Sequence, residues 1–418
     1  MRFNLSRFRE MNPVEQQTAR LLLWSAVFNG VVQSLNQTQD IIARKALHAT
    51  ALQLTLMAMI WPVSNLLSIW WSRLFERSCH KSRYFLLVGV FGRLSLIYGL
   101  WLTGMTEFML LLGLMFSFNS LLIPAQNSIY QRNINPGRRG KVYGYTMSLA
   151  LLVTVLFTFF AGRMLDVNEQ SFRLILAITA GCGFIASLLL SLVKIREPEG
   201  IRSCGSPDWI KKLHKPLTDT LELLKRNKPF ASFERSFSIY GMGFIIVQPV
   251  LPIYLVDMLK LSYTGNFVAK GIISQLPMLF LSPYLGKLHD KLHPFRFIAL
   301  SFGVLAMFPV LLVLSYLSLG HQWLAEGLVY LAFTVFGIAM TGVNLAWNMG
   351  SIFFAGKEDA SIYQSVHVTM TGIRGILAPL LGLLLLKTLG LVSVFAASIC
   401  FLIAASIISW RDYRRLHI

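Results

Sequence analysis

The strongest constraint on this chain is repetition: apolar runs of roughly twenty residues recur along it, separated by short polar links. A run of that length crosses a hydrocarbon core of ~30 Å. Backbone groups in lipid must find partners within their own segment, so each run is expected to be a helix. The runs fall at 19–39, 51–71, 84–103, 108–130, 142–161 and 174–193, and then at 237–256, 265–285, 297–319, 323–348, 362–386 and 389–410. They predict an all-α membrane protein with twelve transmembrane helices in two six-helix bundles. The bundles occupy 1–193 and 230–418, with a polar linker at 194–229. Charge content supports this class, because 14% charged residues is well below the roughly 25% of soluble domains.

The formal net charge is +19, which in a soluble protein would raise the question of nucleic acid. Here the bases gather in the links, at 72–83, 131–141, 194–228 and 411–415. The opposite links hold few, notably Arg44, Lys45, Arg163, Arg173, Lys260 and Lys387. That asymmetry follows the positive-inside rule. It places both termini and the linker in the cytoplasm, the chain in a plasma membrane of the bacterial inner type, and nucleic acid outside its partners. Cys79, Cys182, Cys204 and Cys400 lie in cytoplasmic links or spans and imply no disulfide framework. The polar start, residues 1–17, precedes a run too long for a removable signal peptide and without a cleavage site.

Two matches near half the chain length point to duplication, a common transporter design. Gly286-Lys287-Leu288-His289-Asp290-Lys291 follows span 8, Ser72-Arg73-Leu74-Phe75-Glu76-Arg77 follows span 2, and Tyr143 and Tyr363 stand alike before spans 5 and 11. With these residues the chain resembles the major facilitator superfamily, whose signature G-x-x-x-D-[RK]-x-G-[RK]-[RK] lies between spans 2 and 3 and repeats between spans 8 and 9. The second copy matches in type at Gly286, Asp290, Lys291 and Arg296, with His293 where the family has glycine. The first has Ser72 and Glu76 in place of Gly and Asp, and keeps Arg77 and Lys81 basic. The resemblance implies two pseudo-symmetric halves with alternating access between them. Gly286, Asp290, Lys291, Glu76 and Arg77 would form a cytoplasmic latch, the glycine permitting close helix packing and the acid pairing in one gate state. Span 11 carries Gly372, Gly375, Gly382 and Pro379, which predict close packing and a bend. This looks like the glycine–proline motif of family exporters, but those carry it in span 5, so direction stays open.

Polar groups inside spans persist mainly where they face protein or water, because a mid-bilayer charge costs about 2.5–3.5 kcal/mol on insertion scales. Span 1 bears Asn29, Gln33, Asn36, Gln37, Asp40 and Arg44 at intervals that place them on one helix face. The family resemblance puts spans 1, 4, 7 and 10 around a central cavity. Substrate-cavity residues are therefore expected to be Asn29, Gln33, Asn36, Gln37, Asn119, Gln248, Asn344 and Asn348, with Gln126, Asn127, Tyr240 and Thr341 beside them. Span 11 adds Gln364, His367, Thr371 and Arg374, and span 3 adds Arg93. Histidine changes charge near neutral pH. Asp40 and His367 are thus expected to carry coupling protons, while Arg374 or Arg93 holds an anion or biases them.

His214 and Asp219 fit the H-x-x-x-x-D spacing of glycerolipid acyltransferases without its companion blocks, so no enzyme is inferred. No phosphate loop, zinc spacing or nucleophile elbow is present, and no cofactor or metal is expected. The expected function is secondary active transport of a small organic solute, coupled to protons, by a monomer surrounded by membrane lipid. A lipid or lysolipid flippase and a non-transporting sensor or scaffold are the alternatives.

Overall fold

Local signals outside the apolar runs decide where the helices begin, and they make several longer than hydropathy alone indicates. A computed structural model describes residues 11–67, 70–71, 74–75, 78, 80–196, 222–355 and 360–416. Helix α1 spans Pro13–Lys45 rather than 19–39. Asn12 accepts the N–H of Glu15 at 2.9 Å, proline opens the helix, and Arg44 and Lys45 close it. This order suits the free N–H groups at the start and the negative dipole end at the finish. Then follow α2 (Ala51–Leu66), α3 (Lys81–Trp101), α4 (Met105–Asn119), α5 (Leu122–Asn133), α6 (Pro136–Val167) and α7 (Ser171–Ser191). Helix α8 (Lys228–Ile245) is capped by Asn227, whose side chain accepts from the Phe230 N–H. Next come α9 (Tyr263–Phe267), α10 (Leu276–Lys291), α11 (Pro294–Leu317), α12 (Gln322–Ala355), α13 (Ala360–Leu389) and α14 (Leu391–Leu416). No strand occurs among the described residues.

Seven of these helices are long and apolar enough to cross a membrane, and α2 and α4 are shorter apolar helices. The remaining spans are interrupted or, in α1, too polar to register by hydropathy. Span 4 breaks into α4 and α5 around Ser120 and Leu121. Span 7 breaks after α8 into turns at 246–250, where Pro249, and Pro252 just beyond, remove backbone donors. Three π-helical turns occur among the described residues: Val88–Arg93 within α3, Tyr254–Met258 after the span 7 break, and Val268–Ile273 between α9 and α10. Each widens the helix by one residue, a distortion often found at functional positions. Large apolar side chains such as Trp101, Leu110, Phe160, Phe280, Leu317 and Leu384 remain exposed, as expected of surfaces solvated by lipid.

The chain forms two compact units. One contains Met1–Asn36, Leu67–Ala161 and Asn168–Ile210; the other contains Gln37–Leu66, Gly162–Val167 and Lys211–Ile418. The first packs around Leu22, Phe75, Phe85, Val88, Ile129 and Leu190. The second centres on an aromatic cluster that includes Phe230, Phe233, Phe237, Phe295 and Phe354. In lipid such contacts act through packing rather than release of water. The close approach expected of span 11 occurs at Gly372 and Gly375, where any Cβ would overlap Leu66 and Pro62 of α2. Helix α13 runs through Pro379 without interruption.

Among the described residues, a Cβ on Gly286 would meet no atom within 4 Å. Its neighbours His289 and Lys291 lie in the last turn of α10. Ser72, Glu76, Arg77, His214, Asp219 and the side chains of Asp290 and Asn127 lie outside the described residues.

Candidate functional site

The polar face of α1 divides between the units, and its two parts have different surroundings. Asn29 and Gln33 line a cavity inside the first unit together with Ser25, Gln126, Tyr130 and Thr146, over apolar Leu22 and Leu190. Its free volume of about 40 Å³ exceeds what one water needs. Helix α1 is held here from both sides. Ser25 donates to the Ala186 carbonyl at 3.0 Å, Thr154 donates to the Gly30 carbonyl at 2.9 Å, and Ser34 and Thr158 share a 2.7 Å hydrogen bond.

Behind this cavity Arg93 sits at the end of the α3 π turn, 3% exposed. Its guanidinium donates to Asn119 Oδ1 at 3.0 Å, to the Gly183 carbonyl at 3.1 Å and to Asn29 Oδ1 at 2.7 Å. Gly183 leaves the space for it, since a Cβ there would lie 3.0 Å from the Arg93 side chain. All three acceptors are neutral. A buried charge ordinarily needs a counter-ion, and Arg93 has no carboxylate partner among the described residues.

Beyond Asn36 the same helix face belongs to the second unit and is ionic. Asp40 pairs with Lys270, in the π turn between α9 and α10. Arg44 grips both oxygens of Asp257, in the π turn that ends span 7. Lys45 donates to the Leu261 carbonyl at 3.2 Å and lies 4.3 Å over the Tyr263 ring. Asp166, in the last turn of α6, accepts the backbone N–H groups of Tyr263 at 2.6 Å and Thr264 at 2.9 Å, capping α9. This cluster ties the ends of α1 and α6 to α9 within one unit. Each π turn thus supplies one charge: Arg93, Asp257 or Lys270.

A second ionisable cluster lies between α8 and α13. His367 Nδ1 and Glu234 Oε1 are 2.7 Å apart, with side-chain exposures of 0% and 1%. Phe237 and Trp347 close around the imidazole, with ring centroids at 4.9 and 5.3 Å. Arg374 is buried beside them, donating to the Phe237 carbonyl at 2.6 Å and to Thr371 Oγ1 at 2.7 Å. It occupies space left by Gly241, where any Cβ would overlap the guanidinium. Glu234 Oε2, His367 Nε2 and Arg374 Nε have no hydrogen-bond partner. Buried atoms of this kind are rare.

Of the other residues expected at the cavity, Gln37, Gln248, Asn344 and Asn348 belong to the second unit. Asn36 is exposed and Gln37 is half-buried within the second unit. Gln248 lies in the turns that interrupt span 7. Asn348 donates to the Asn344 carbonyl one turn back, at 2.7 Å. Tyr240 donates to the Met340 sulfur at 3.7 Å. Sequence reasoning missed Lys270, Asp257 and Asp166. A lysine within the span 8 run was itself a signal, because a charge inside a span is a functional hypothesis by default.

Comparison with known proteins decides the family. A family model described as Major Facilitator Superfamily matches residues 21–373. The chain belongs to the Major Facilitator Superfamily. No curated protein matches it by sequence. Solved structures resemble it across nearly its whole length. A bacterial homologue of the human lysosomal transporter Spinster, inward-facing and unoccupied, gives a TM-score of 0.68 at 12% identity, covering 97% of this chain and 98% of that one. The nucleoside transporter NupG gives 0.67 at 13%, covering 97% and 100%. A D-xylose–proton symporter gives 0.64 at 15%, covering 95% and 96%. At these identities the likeness is one of fold. This Major Facilitator Superfamily chain is an integral membrane protein, and among its described residues no cluster of side chains could hold a metal ion.

Proposed function

We propose that the protein is a secondary carrier of a small organic solute, working by alternating access and driven by protons, with both termini in the cytoplasm of a bacterial inner membrane. The observation that carries this reading is the division of the α1 polar face. Amides at Asn29 and Gln33 border a cavity, while Asp40, Arg44 and Lys45 are tied to Lys270, Asp257 and Leu261. A helix that is open at one level and charge-locked at another has the construction of a gated pathway. Asp40 then acts at the non-cytoplasmic gate: protonation removes the charge that holds Lys270, and the gate loosens.

Proton coupling is assigned to Glu234 and His367. The pair holds one proton between Oε1 and Nδ1, and the unpartnered Glu234 Oε2 and His367 Nε2 are where another can add. Arg374 lies beside the pair, donating to the Phe237 carbonyl and to Thr371. The test is uptake of sugars, nucleosides and organic acids into proteoliposomes with an imposed pH gradient. A solute accumulated only while the gradient stands supports the reading. Equal uptake with the gradient collapsed by an ionophore would remove the proton step, and no uptake of any solute would count against carriage itself.

A further inference from the structure

Arg93 carries more information than a buried brace requires. The guanidinium has donors only, so each amide that meets it must present its oxygen. Asn29 and Asn119 are therefore oriented by chemistry: both give Oδ1 to Arg93, and their NH₂ groups point away from it. Asn29 also lines the cavity, where its NH₂ is the half left for a ligand. Gln33 and Gln126, on the same wall, have no hydrogen bond among the described residues and can turn donors to the same place. Electrostatics adds to geometry. One layer behind these donors lies a positive charge that desolvation makes costly and that no carboxylate offsets. The described acids of this unit are elsewhere: Glu15 is engaged by Asn135 and Arg138, Glu107 by Thr103, and Glu169 is exposed in the turn before α7.

We infer that the cavity between α1, α5 and α6 binds an anionic group of the substrate, a carboxylate or phosphate, on the amide of Asn29 with Gln33 and Gln126, and that Arg93 supplies the compensating charge. The inference rests on the carrier reading and names its substrate class. Arg93 acts as a positioning residue: it need not touch the anion, because it fixes the donor side of Asn29 and sets the potential of the wall. Arg374 does not share this role. Glu234 lies close enough to interact with it electrostatically, so its charge is already answered within its own cluster.

The decisive variant is Asn29→Asp, which places a carboxylate where Arg93 now meets a neutral oxygen. Thermal unfolding of the purified full-length protein is measured with succinate, glycerol 3-phosphate and uridine 5′-monophosphate, each against its neutral counterpart succinamide, glycerol or uridine at matched ionic strength. At least one anion is expected to raise the wild-type Tm while its counterpart does not, since a ligand that binds only the folded state stabilises it. Asn29→Asp is expected to unfold at a higher temperature without ligand and to bind that anion at least tenfold more weakly, its own carboxylate occupying the field of Arg93. Arg93→Lys is expected to keep part of the response and Arg93→Gln none.

An unchanged anion response in Asn29→Asp, equal shifts from anions and neutral counterparts, or no shift from any anion would overturn the assignment. The carrier reading fails on a different readout. If a neutral solute is carried into proteoliposomes and Gln33→Ala slows it, carriage stands and only the anion is lost. If nothing is carried and a cysteine at position 33 is sealed from both sides of the membrane, the carrier reading falls as well.

Discussion

Apart from Glu15 with Arg138 in the first, the two compact units differ in what answers the charges of their polar clusters. In the first, Arg93 is held by two side-chain amides and a backbone carbonyl. In the second, charge meets charge: Asp40 with Lys270, Arg44 with Asp257, Arg235 with Asp412, and Glu234 with His367 beside Arg374. Neutral oxygens hold a cation in the same way at any physiological pH, whereas a carboxylate can gain a proton and release its partner. On the proposed reading, the first unit presents a fixed polar surface and the second changes its pairing. Both store an arginine over a helical glycine, Arg93 over Gly183 and Arg374 over Gly241, so the contrast lies in the acids alone.

The sharpest way to break this contrast is to remove the acid–base pair of the second unit. Glu234→Gln and His367→Gln are each expected to lower gradient-driven accumulation at least tenfold while exchange without a gradient persists, as measured by flux in proteoliposomes. If accumulation survives in both, the second unit's charges do not switch. The next largest effect is on the gate. Lys270→Met leaves Asp40 unpaired at membrane depth and is expected to cost about 3 kcal/mol of stability, because removing one partner strands the other. Asp40→Asn with Lys270→Met should recover most of it in thermal unfolding. A smaller effect tests the glycine seats: Gly183→Ala crowds the Arg93 methylenes and Gly241→Ala must displace the Arg374 guanidinium, at about 1–3 kcal/mol each, the second also disturbing proton-driven flux and the first leaving its pH dependence unchanged. The smallest is Arg44→Ala. Its pair with Asp257 is partly exposed, at 24% and 36%, and exposed pairs contribute less than about 1 kcal/mol, so Tm should hardly move.

Much of the fold was legible because lipid imposes a simple rule, that apolar length makes a helix. The rule fails where a helix is polar or interrupted. Residues 13–18 and 40–45 of α1 lie outside any apolar window, yet Asn12, Pro13 and the terminal bases make them helical. The π turns at Val88–Arg93, Tyr254–Met258 and Val268–Ile273 have no periodicity signal, because one extra residue in a turn leaves composition unchanged. Among site residues, Asn29, Gln33, Arg93, Asp40 and His367 stood out as polar groups in apolar runs. Their partners were less visible. Asn29 to Arg93 spans 64 positions, Asp40 to Lys270 spans 230 and His367 to Glu234 spans 133, and no local pattern links residues so far apart.

The claim that one helix face is open at Gln33 and locked at Asp40 can be tested without knowing the substrate. In a protein whose native cysteines have been replaced, Gln33→Cys is exposed in sealed, oriented vesicles to a membrane-impermeant maleimide from each side in turn. The account predicts labelling from the cytoplasmic side in the parent, and labelling also from the opposite side once Asp40→Asn and Lys270→Gln release the gate. A cysteine at this position that reacts from neither side, or whose sidedness is unchanged when the Asp40–Lys270 pair is gone, would contradict it.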